Sequence, residues 1–172
     1  VKQFAKKHPH KMMKPWPESG SKARVAHMTE KDFYESEKSA TMAGPCDVAI
    51  VFESADGEET ILKKAFPLLE GEVIDASVMN IKALERFFTQ SRQAAKQKGL
   101  LLSLHLKATM MKVSDPYMFG RAVSVYFKSL FDEHKDLFKK IGVDPAAGLG
   151  DLYTRINRLD KETADSIKTR IE

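Results

Sequence analysis

Residues 100–111 read LLLSLHLKATMM, a nearly continuous apolar run with few charges that directly follows Gly99. A run of this length, after a helical segment and a glycine, predicts a strand buried on at least one face. Because side chains alternate between the two faces of a strand, one face is predicted to be wholly apolar. The opposite face is a polar row: Ser103, His105, Lys107 and Thr109.

Lys107, at the centre of this polar row, is the candidate catalytic and substrate-binding residue. Partial burial on a strand disfavours the charged form of a lysine and suits its amine to proton transfer. The same position also fits a lysine that meets solvent or pairs with a carboxylate. The alternation pattern alone leaves both interpretations open.

Local signals on either side of the run predict the rest of the fold. Residues 47–64 alternate around Asp56-Gly57, a dipeptide that favours the tight turn of a β-hairpin. Asn80 stands where a helix cap belongs, before a helical apolar stripe that ends at a glycine. With the helices that follow, residues 80–172 are predicted to form a helix-strand-helix region. The predicted fold class is α/β, a layered mixed sheet with flanking helices, preceded by the hairpin.

Positive charge is concentrated at the amino end. The net charge is +4, of which residues 1–24 carry +6 and the remainder carries −2. Prolines and a glycine predict an irregular basic arm over residues 1–23. Phe4 and Trp16 lie among its lysines, so the arm is compatible with nucleic-acid binding, but no nucleic-acid-binding motif accompanies it. The favoured interpretation is a solvated surface segment, or one that meets an anionic small molecule.

Other candidate sites carry weaker signals. His8 and His10 have a spacing that can share a metal ion on extended backbone, but no third ligand is evident. Cys46 has no activating partner in the sequence and is predicted to be inert. Asp115, directly before Pro116, is predicted to cap the next helix by accepting backbone amide hydrogen bonds. The sequence contains neither a phosphate-binding glycine motif nor a nucleophile elbow.

Length and composition exclude several classes of protein. The chain has 172 residues, 42% of them hydrophobic and 30% charged, which is ordinary for a globular domain. No apolar run approaches the roughly 18 to 20 residues of a membrane span, so no membrane role is predicted. The single cysteine excludes an internal disulfide and fits a reducing, cytoplasmic setting.

Five segments form long and unusual motifs, and they follow one another along the chain: KHPHKM at 7–12, VAHM at 25–28, GEVID at 71–75, LLSLHLKATMMKVSDP at 101–116 and GDLY at 150–153. Together they resemble the monomeric, NADP-dependent isocitrate dehydrogenases of bacteria. Because the segments occur in the family's order from end to end, the resemblance covers essentially the whole chain.

The resemblance implies oxidative decarboxylation of isocitrate to 2-oxoglutarate and CO₂, with NADP⁺ as hydride acceptor and Mg²⁺ or Mn²⁺ bound with the substrate. In the family, the lysine of the His-Leu-Lys-Ala-Thr segment contacts the substrate and is placed to move its hydroxyl proton. That position is Lys107 here. The resemblance also implies an isocitrate/isopropylmalate dehydrogenase-like half-domain, in which residues 1–172 are approximately the first half of a large central domain.

Most of such a site is expected to lie outside this sequence. Family members are several times longer, and their other substrate, metal and NADP ligands match no position here. The chain is therefore expected to be an internal fragment that is inactive by itself and binds neither cofactor. The alternative is a non-enzymatic interaction module, derived from that enzyme, which self-associates through surfaces that the other parts would cover.

Overall fold

The strands lie in the first half of the chain and most helices follow them, in a computed structural model that describes residues 2–9 and 18–171. The strands are β1 (Lys38–Thr41), β2 (Cys46–Glu53), β3 (Glu59–Leu68) and β4 (Val73–Ala76). The helices are α1 (Lys2–Lys7), α2 (Phe33–Ser36), α3 (Ile81–Gln97), α4 (Ser114–Tyr126), α5 (Lys128–Glu133), α6 (Lys135–Ile141), α7 (Gly148–Ile156) and α8 (Lys161–Ile171). Within these ranges, no helix has both the length and the apolar character needed to cross a membrane.

The described strands form two separate antiparallel pairs. β1 pairs with β4, and β2 pairs with β3. The prediction that the chain combines helices with β-structure is confirmed. The prediction of one layered mixed sheet is wrong for the described residues, because the two pairs do not join and residues 100–111 add no strand to either.

The β2–β3 hairpin is closed by hydrogen bonds across its turn. The Ser54 N–H donates to the Glu58 carbonyl at 2.9 Å, and the Glu58 N–H donates to the Ser54 hydroxyl oxygen at 3.1 Å. Gly57 has a φ of 83°, in the left-handed region that glycine adopts without steric cost. The Asp-Gly signal therefore lies in the turn, and the paired strands extend over residues 46–68.

The hydrophobic core lies between the last four helices. Helices α5, α6, α7 and α8 each contribute a buried side chain, and these side chains contact one another: Leu130, Phe138, Leu152, Ile156 and Ile167. Fully burying an apolar side chain of this size contributes about 1.5–3 kcal/mol to stability. The core is thus built from helices packed on helices, whereas the sequence predicted a core against a sheet.

Helix α3 packs against α4, which leads into this core. The Asn80 side chain accepts a hydrogen bond from the Ala83 N–H at 3.0 Å, so the predicted helix cap is confirmed. Ala83 and Leu84 are the buried residues of α3. An ion pair between Glu85 and Arg121, 3.4 Å long, joins the two helices at the edge of their contact.

The amino-terminal arm is not irregular throughout. Helix α1 lies inside residues 1–23, so the prediction of an irregular arm is wrong for that part. The physical reason is that Lys2–Lys7 contains no proline or glycine, and the helical pattern continues to His8, whose N–H donates to the Phe4 carbonyl at 2.9 Å. Residues 18–28 contain no helix or strand, and residues 10–17 lie outside the described part of the chain.

Asp151 and Arg155 connect α7 to the end of α6. The Arg155 Nε donates to the Asp151 carboxylate at 2.7 Å, and its Nη1 donates to the Ile141 carbonyl at 2.9 Å. The hydrogen bond from Arg155 lowers the pKa of Asp151 from its ordinary value of 3.8. Because the folded-state pKa is the lower one, the stabilisation is present above about pH 4 and is lost as the pH falls through the folded-state pKa.

We therefore expect Asp151→Asn to reduce the free energy of unfolding at pH 7 by about 1 kcal/mol. The variant should also lose less stability than the wild type between pH 5 and pH 2. Urea denaturation at a series of pH values measures both effects. Asp132→Asn is the matched control, because Asp132 also faces a basic residue four positions away, Lys128, but both side chains are largely exposed. An equal loss in the two variants would contradict the structural role of Asp151.

Candidate functional site

The segment that carries Lys107 is not a strand. Residues 101–107 have no ladder partner among the described residues, and the chain then turns through a 3₁₀ helix, Ala108–Met110. Neither face is buried: Leu102 and Leu104, on the predicted apolar face, are 43% and 45% exposed. The strand prediction for residues 100–111 is therefore wrong here, because a strand needs a neighbour to pair its backbone and to cover its apolar face.

Lys107 occupies the position just before the 3₁₀ helix and is exposed. Its backbone is extended, with φ −97° and ψ 108°, and its carbonyl accepts a hydrogen bond from the Met110 N–H at 2.9 Å. Its side chain forms no hydrogen bond or ion pair with another described residue. The Lys107 amine is therefore accessible to an anionic group that approaches from outside.

Two other members of the polar row are brought together by the extended backbone. The Ser103 hydroxyl and the His105 Nε2 are 2.5 Å apart, in hydrogen-bonding contact. Residues two positions apart on extended backbone point the same way, which explains the contact. Thr109, the last member of the row, lies in the 3₁₀ helix, so the row ends at Lys107. Sequence reasoning placed Ser103 and His105 beside Lys107 but did not identify their mutual hydrogen bond.

Asp115 fixes the far end of the segment. Its carboxylate accepts a hydrogen bond from the Lys112 N–H at 3.0 Å, and its own N–H donates to the Lys112 carbonyl at 3.1 Å. The prediction that Asp115 caps α4 is wrong: Asp115 lies inside α4, the cap position is Val113 without a side-chain hydrogen bond, and the amide that Asp115 accepts precedes the helix. These two reciprocal hydrogen bonds form a turn between Lys112 and Asp115, and the Lys107 segment ends at this turn.

Lys107 does not lie in an enclosed pocket. An open groove runs between residues 22–29 and α3, and the beginning of the segment, Leu100 to Leu102, lines it. Lys107 is not among the residues that line this groove. The described chain therefore presents the lysine at its surface, outside this groove.

The described residues do not assemble a metal site. No three His, Cys, Asp or Glu side chains lie together in residues 2–9 and 18–171. His8 stacks on Phe4 with the ring centroids 4.4 Å apart, and His10, the other half of the predicted pair, lies outside the described residues. Cys46 is exposed, and its thiol contacts the Met42 sulfur at 3.3 Å.

Comparison with known proteins decides the family of the chain. The family model of monomeric isocitrate dehydrogenase matches residues 1–172. The chain belongs to the monomeric isocitrate dehydrogenase family. The chain is similar to isocitrate dehydrogenase (NADP) 2 of Colwellia maris, with which it is 48% identical over 172 residues, and to isocitrate dehydrogenase (NADP) of Azotobacter vinelandii, with which it is 46% identical over the same length. Isocitrate dehydrogenase (NADP) 2 of Mycobacterium tuberculosis is 42% identical over 167 residues, or 97% of this chain.

The matched region is a limited part of these family members. All of this chain is covered by the Colwellia and Azotobacter proteins, but it spans only 23% of the length of either. It spans 22% of the Mycobacterium protein. In this matched region, the described residues present the exposed Lys107 beside an open surface.

Proposed function

We propose that this chain supplies the substrate-contacting lysine of an NADP-dependent isocitrate dehydrogenase, the enzyme that converts isocitrate to 2-oxoglutarate and CO₂. The observation that carries the proposal is the family match over all 172 residues, together with relatives that bear this activity in their names. Lys107 is the residue that the resemblance assigns to the substrate, and it is exposed at the end of the polar row. We also propose that the protein is located in the cytoplasm.

Lys107 is suited to two roles at its Nζ atom. As an ammonium it attracts the carboxylates of isocitrate, since a lysine is a compact point charge that reaches an anion flexibly. As a neutral amine it accepts the proton of the substrate hydroxyl when that hydroxyl is oxidised to a carbonyl. No described carboxylate is paired with Lys107, so its charge is available for the substrate. We assign only these steps to this chain.

The other parts of the reaction are assigned elsewhere in the longer polypeptides of the family. NADP and the divalent metal are required by the proposed activity, but the described residues contain no metal ligand set and the sequence has no phosphate-binding glycine motif. We therefore propose that this chain is inactive alone. We also propose the finer fold, an isocitrate/isopropylmalate dehydrogenase-like half-domain, with residues 1–172 as approximately the first half of a large central domain.

The proposal is tested in a complete enzyme of the family. Lys107→Met removes the amine, and Lys112→Met removes another exposed lysine of the same segment. A loss of turnover confined to Lys107→Met supports the proposed role. Equal turnover in both variants contradicts it.

A second function is favoured by a separate observation. Both faces of the β2–β3 hairpin carry exposed apolar side chains, among them Phe52 and Ile61, which are 55% and 65% exposed. A two-stranded sheet of this kind is marginally stable in water without something packed on it. The chain by itself is therefore also a candidate self-associating module, distinct from any catalytic role.

A further inference from the structure

Ser103 and His105 form a hydrogen-bonded pair on the same side of the segment as Lys107. The Ser103 hydroxyl oxygen and the His105 Nε2 are 2.5 Å apart. Residues two positions apart on extended backbone point the same way, so positions 103, 105 and 107 share one side. At about 3.4 Å per residue, the backbones of His105 and Lys107 are about 7 Å apart. The pair therefore lies next to whatever group Lys107 meets.

The pair has more hydrogen-bond donors than it uses internally. A serine has one O–H, and a neutral histidine has one N–H. The hydrogen bond between Ser103 and His105 uses one of these two hydrogens, whichever ring nitrogen carries the proton. The other O–H or N–H has no acceptor among the described residues. A protonated histidine leaves two such donors. Whether His105 is neutral or protonated, the pair thus offers at least one donor to an acceptor from outside.

The sequence around the pair is basic and contains no carboxylate. Residues 86–114 include no Asp or Glu but six basic residues: Arg86, Arg92, Lys96, Lys98, Lys107 and Lys112. A local excess of positive charge concentrates anions near it. A hydrogen bond to an ionised acceptor is also stronger than one to a neutral acceptor. An anionic group is therefore the acceptor that best fits the free donor of the pair.

We infer that the Ser103–His105 pair is a second substrate contact, which donates a hydrogen bond to a carboxylate of isocitrate while Lys107 meets the substrate hydroxyl. The inference rests on the proposed function of Lys107 and adds the group that holds the charge of the substrate. Isocitrate carries its hydroxyl and its carboxylates on one short carbon chain, so neighbouring side chains on one side of a segment reach both kinds of group. Ser103 and His105 act as a unit, because their mutual hydrogen bond fixes which hydrogen remains for the carboxylate.

This contact differs from that of Lys107 in the kinetic constant that it affects. A hydrogen bond to a carboxylate forms when isocitrate binds and is kept while the hydroxyl is oxidised. An interaction that is equally strong before and during the reaction lowers KM and leaves kcat unchanged. Loss of the pair should therefore weaken the binding of isocitrate, whereas loss of the Lys107 amine should lower kcat.

The first test measures the dissociation constant of isocitrate by calorimetry, with Mg²⁺ and without NADP⁺, in a complete enzyme of the family. Ser103→Ala with His105→Phe removes both donors of the pair and keeps a ring of similar size. We expect this double variant to bind isocitrate at least about tenfold more weakly, the usual loss for one hydrogen bond to a charged group. Its kcat should stay within about threefold of the wild type. An unchanged dissociation constant would overturn the inference, and so would a lower kcat without weaker binding.

Thr109→Val is the matched control, because it removes a hydroxyl from the same segment at a position inside the 3₁₀ helix. It should bind isocitrate like the wild type, and a loss equal to that of the double variant would overturn the inference. His105→Gln keeps an N–H donor beside Ser103 and should bind isocitrate more tightly than the double variant. Circular dichroism shows that each variant is folded.

A second measurement needs no variant. Diethyl pyrocarbonate modifies accessible histidine side chains, and mass spectrometry locates the modified residue. In the wild-type complete enzyme, isocitrate with Mg²⁺ is expected to slow the modification of His105 several-fold. A rate that isocitrate does not change would overturn the inference. A His105 that is not modified even without isocitrate would also overturn it, because the side chain would then be closed to the substrate.

The inference and the proposed function fail separately. A Lys107→Met enzyme with normal kcat contradicts the role of Lys107, whatever the dissociation constant of isocitrate. A Lys107→Met enzyme that loses kcat, together with a Ser103→Ala, His105→Phe enzyme that binds isocitrate like the wild type, overturns only the role of the pair.

Discussion

In a complete enzyme of the family, Lys107→Met is expected to lower kcat by at least about 100-fold, the usual loss when an acid-base group is removed. Methionine preserves much of the length of the side chain but has neither charge nor a basic nitrogen. Because Lys107 is exposed and makes no side-chain contact with another described polar group, the substitution breaks no internal hydrogen bond. The loss should therefore appear in turnover of isocitrate and not in stability.

Two measurements accompany this experiment. Lys112→Met, in the same segment, is expected to keep kcat within about twofold of the wild type, since only its backbone is engaged, by Asp115. Thermal unfolding of both variants should match the wild type within a degree or two, as is usual for exposed positions. A Lys107→Met enzyme with normal kcat and a lower melting temperature would show that the lysine is structural.

The largest expected effect on stability is at Gly120, a buried residue of α4. A Cβ atom there would lie 2.7 Å from the Ala146 nitrogen and 3.0 Å from the Pro145 carbonyl carbon. Both are backbone atoms of the second 3₁₀ helix, Pro145–Ala147, and cannot rotate away as a side chain does. We expect Gly120→Ala to lower the free energy of unfolding by about 1–3 kcal/mol, the cost typical of overpacking.

Gly150→Ala is the control for Gly120→Ala. Gly150 is also in a helix, α7, but a Cβ there would meet nothing within 4 Å. Alanine in a helix is favoured over glycine by about 0.5–1 kcal/mol, so this variant is expected to be slightly stabilised. Opposite signs in urea denaturation would confirm the close approach of α4 to residues 145–147. A stabilised Gly120→Ala would show that the two elements are further apart.

The features that the sequence predicts well are those decided by a few neighbouring residues. Asn80 caps α3 because its side chain needs only the amide three positions later, and the turn at Gly57 needs only a glycine with a positive φ. The prediction of a strand over residues 100–111 was wrong because a strand depends on residues that are distant in sequence. An apolar run becomes a strand only when another strand pairs with it, and none of the described residues does so.

In the candidate site, too, the local features were predicted from the sequence and the long-range ones were not. Alternation along the chain placed Ser103, His105 and Lys107 on one side, and the hydrogen bond between the first two agrees with that placement. Alternation could not say whether Lys107 is enclosed, because enclosure depends on residues far away in sequence. The catalytic role that we propose for Lys107 rests on the family resemblance and on the accessibility of its amine. No local pattern specifies a substrate.

The most direct test of the central claim is NADPH formation by the purified chain, with isocitrate, Mg²⁺ and NADP⁺ all saturating. We expect no NADPH above the background without protein, because the role that we propose for this chain is limited to the Lys107 segment and its described residues contain no group of three His, Cys, Asp or Glu side chains. NADPH formation by the wild-type chain that disappears in Lys107→Met would contradict the claim. It would mean that these 172 residues already contain a complete site around Lys107.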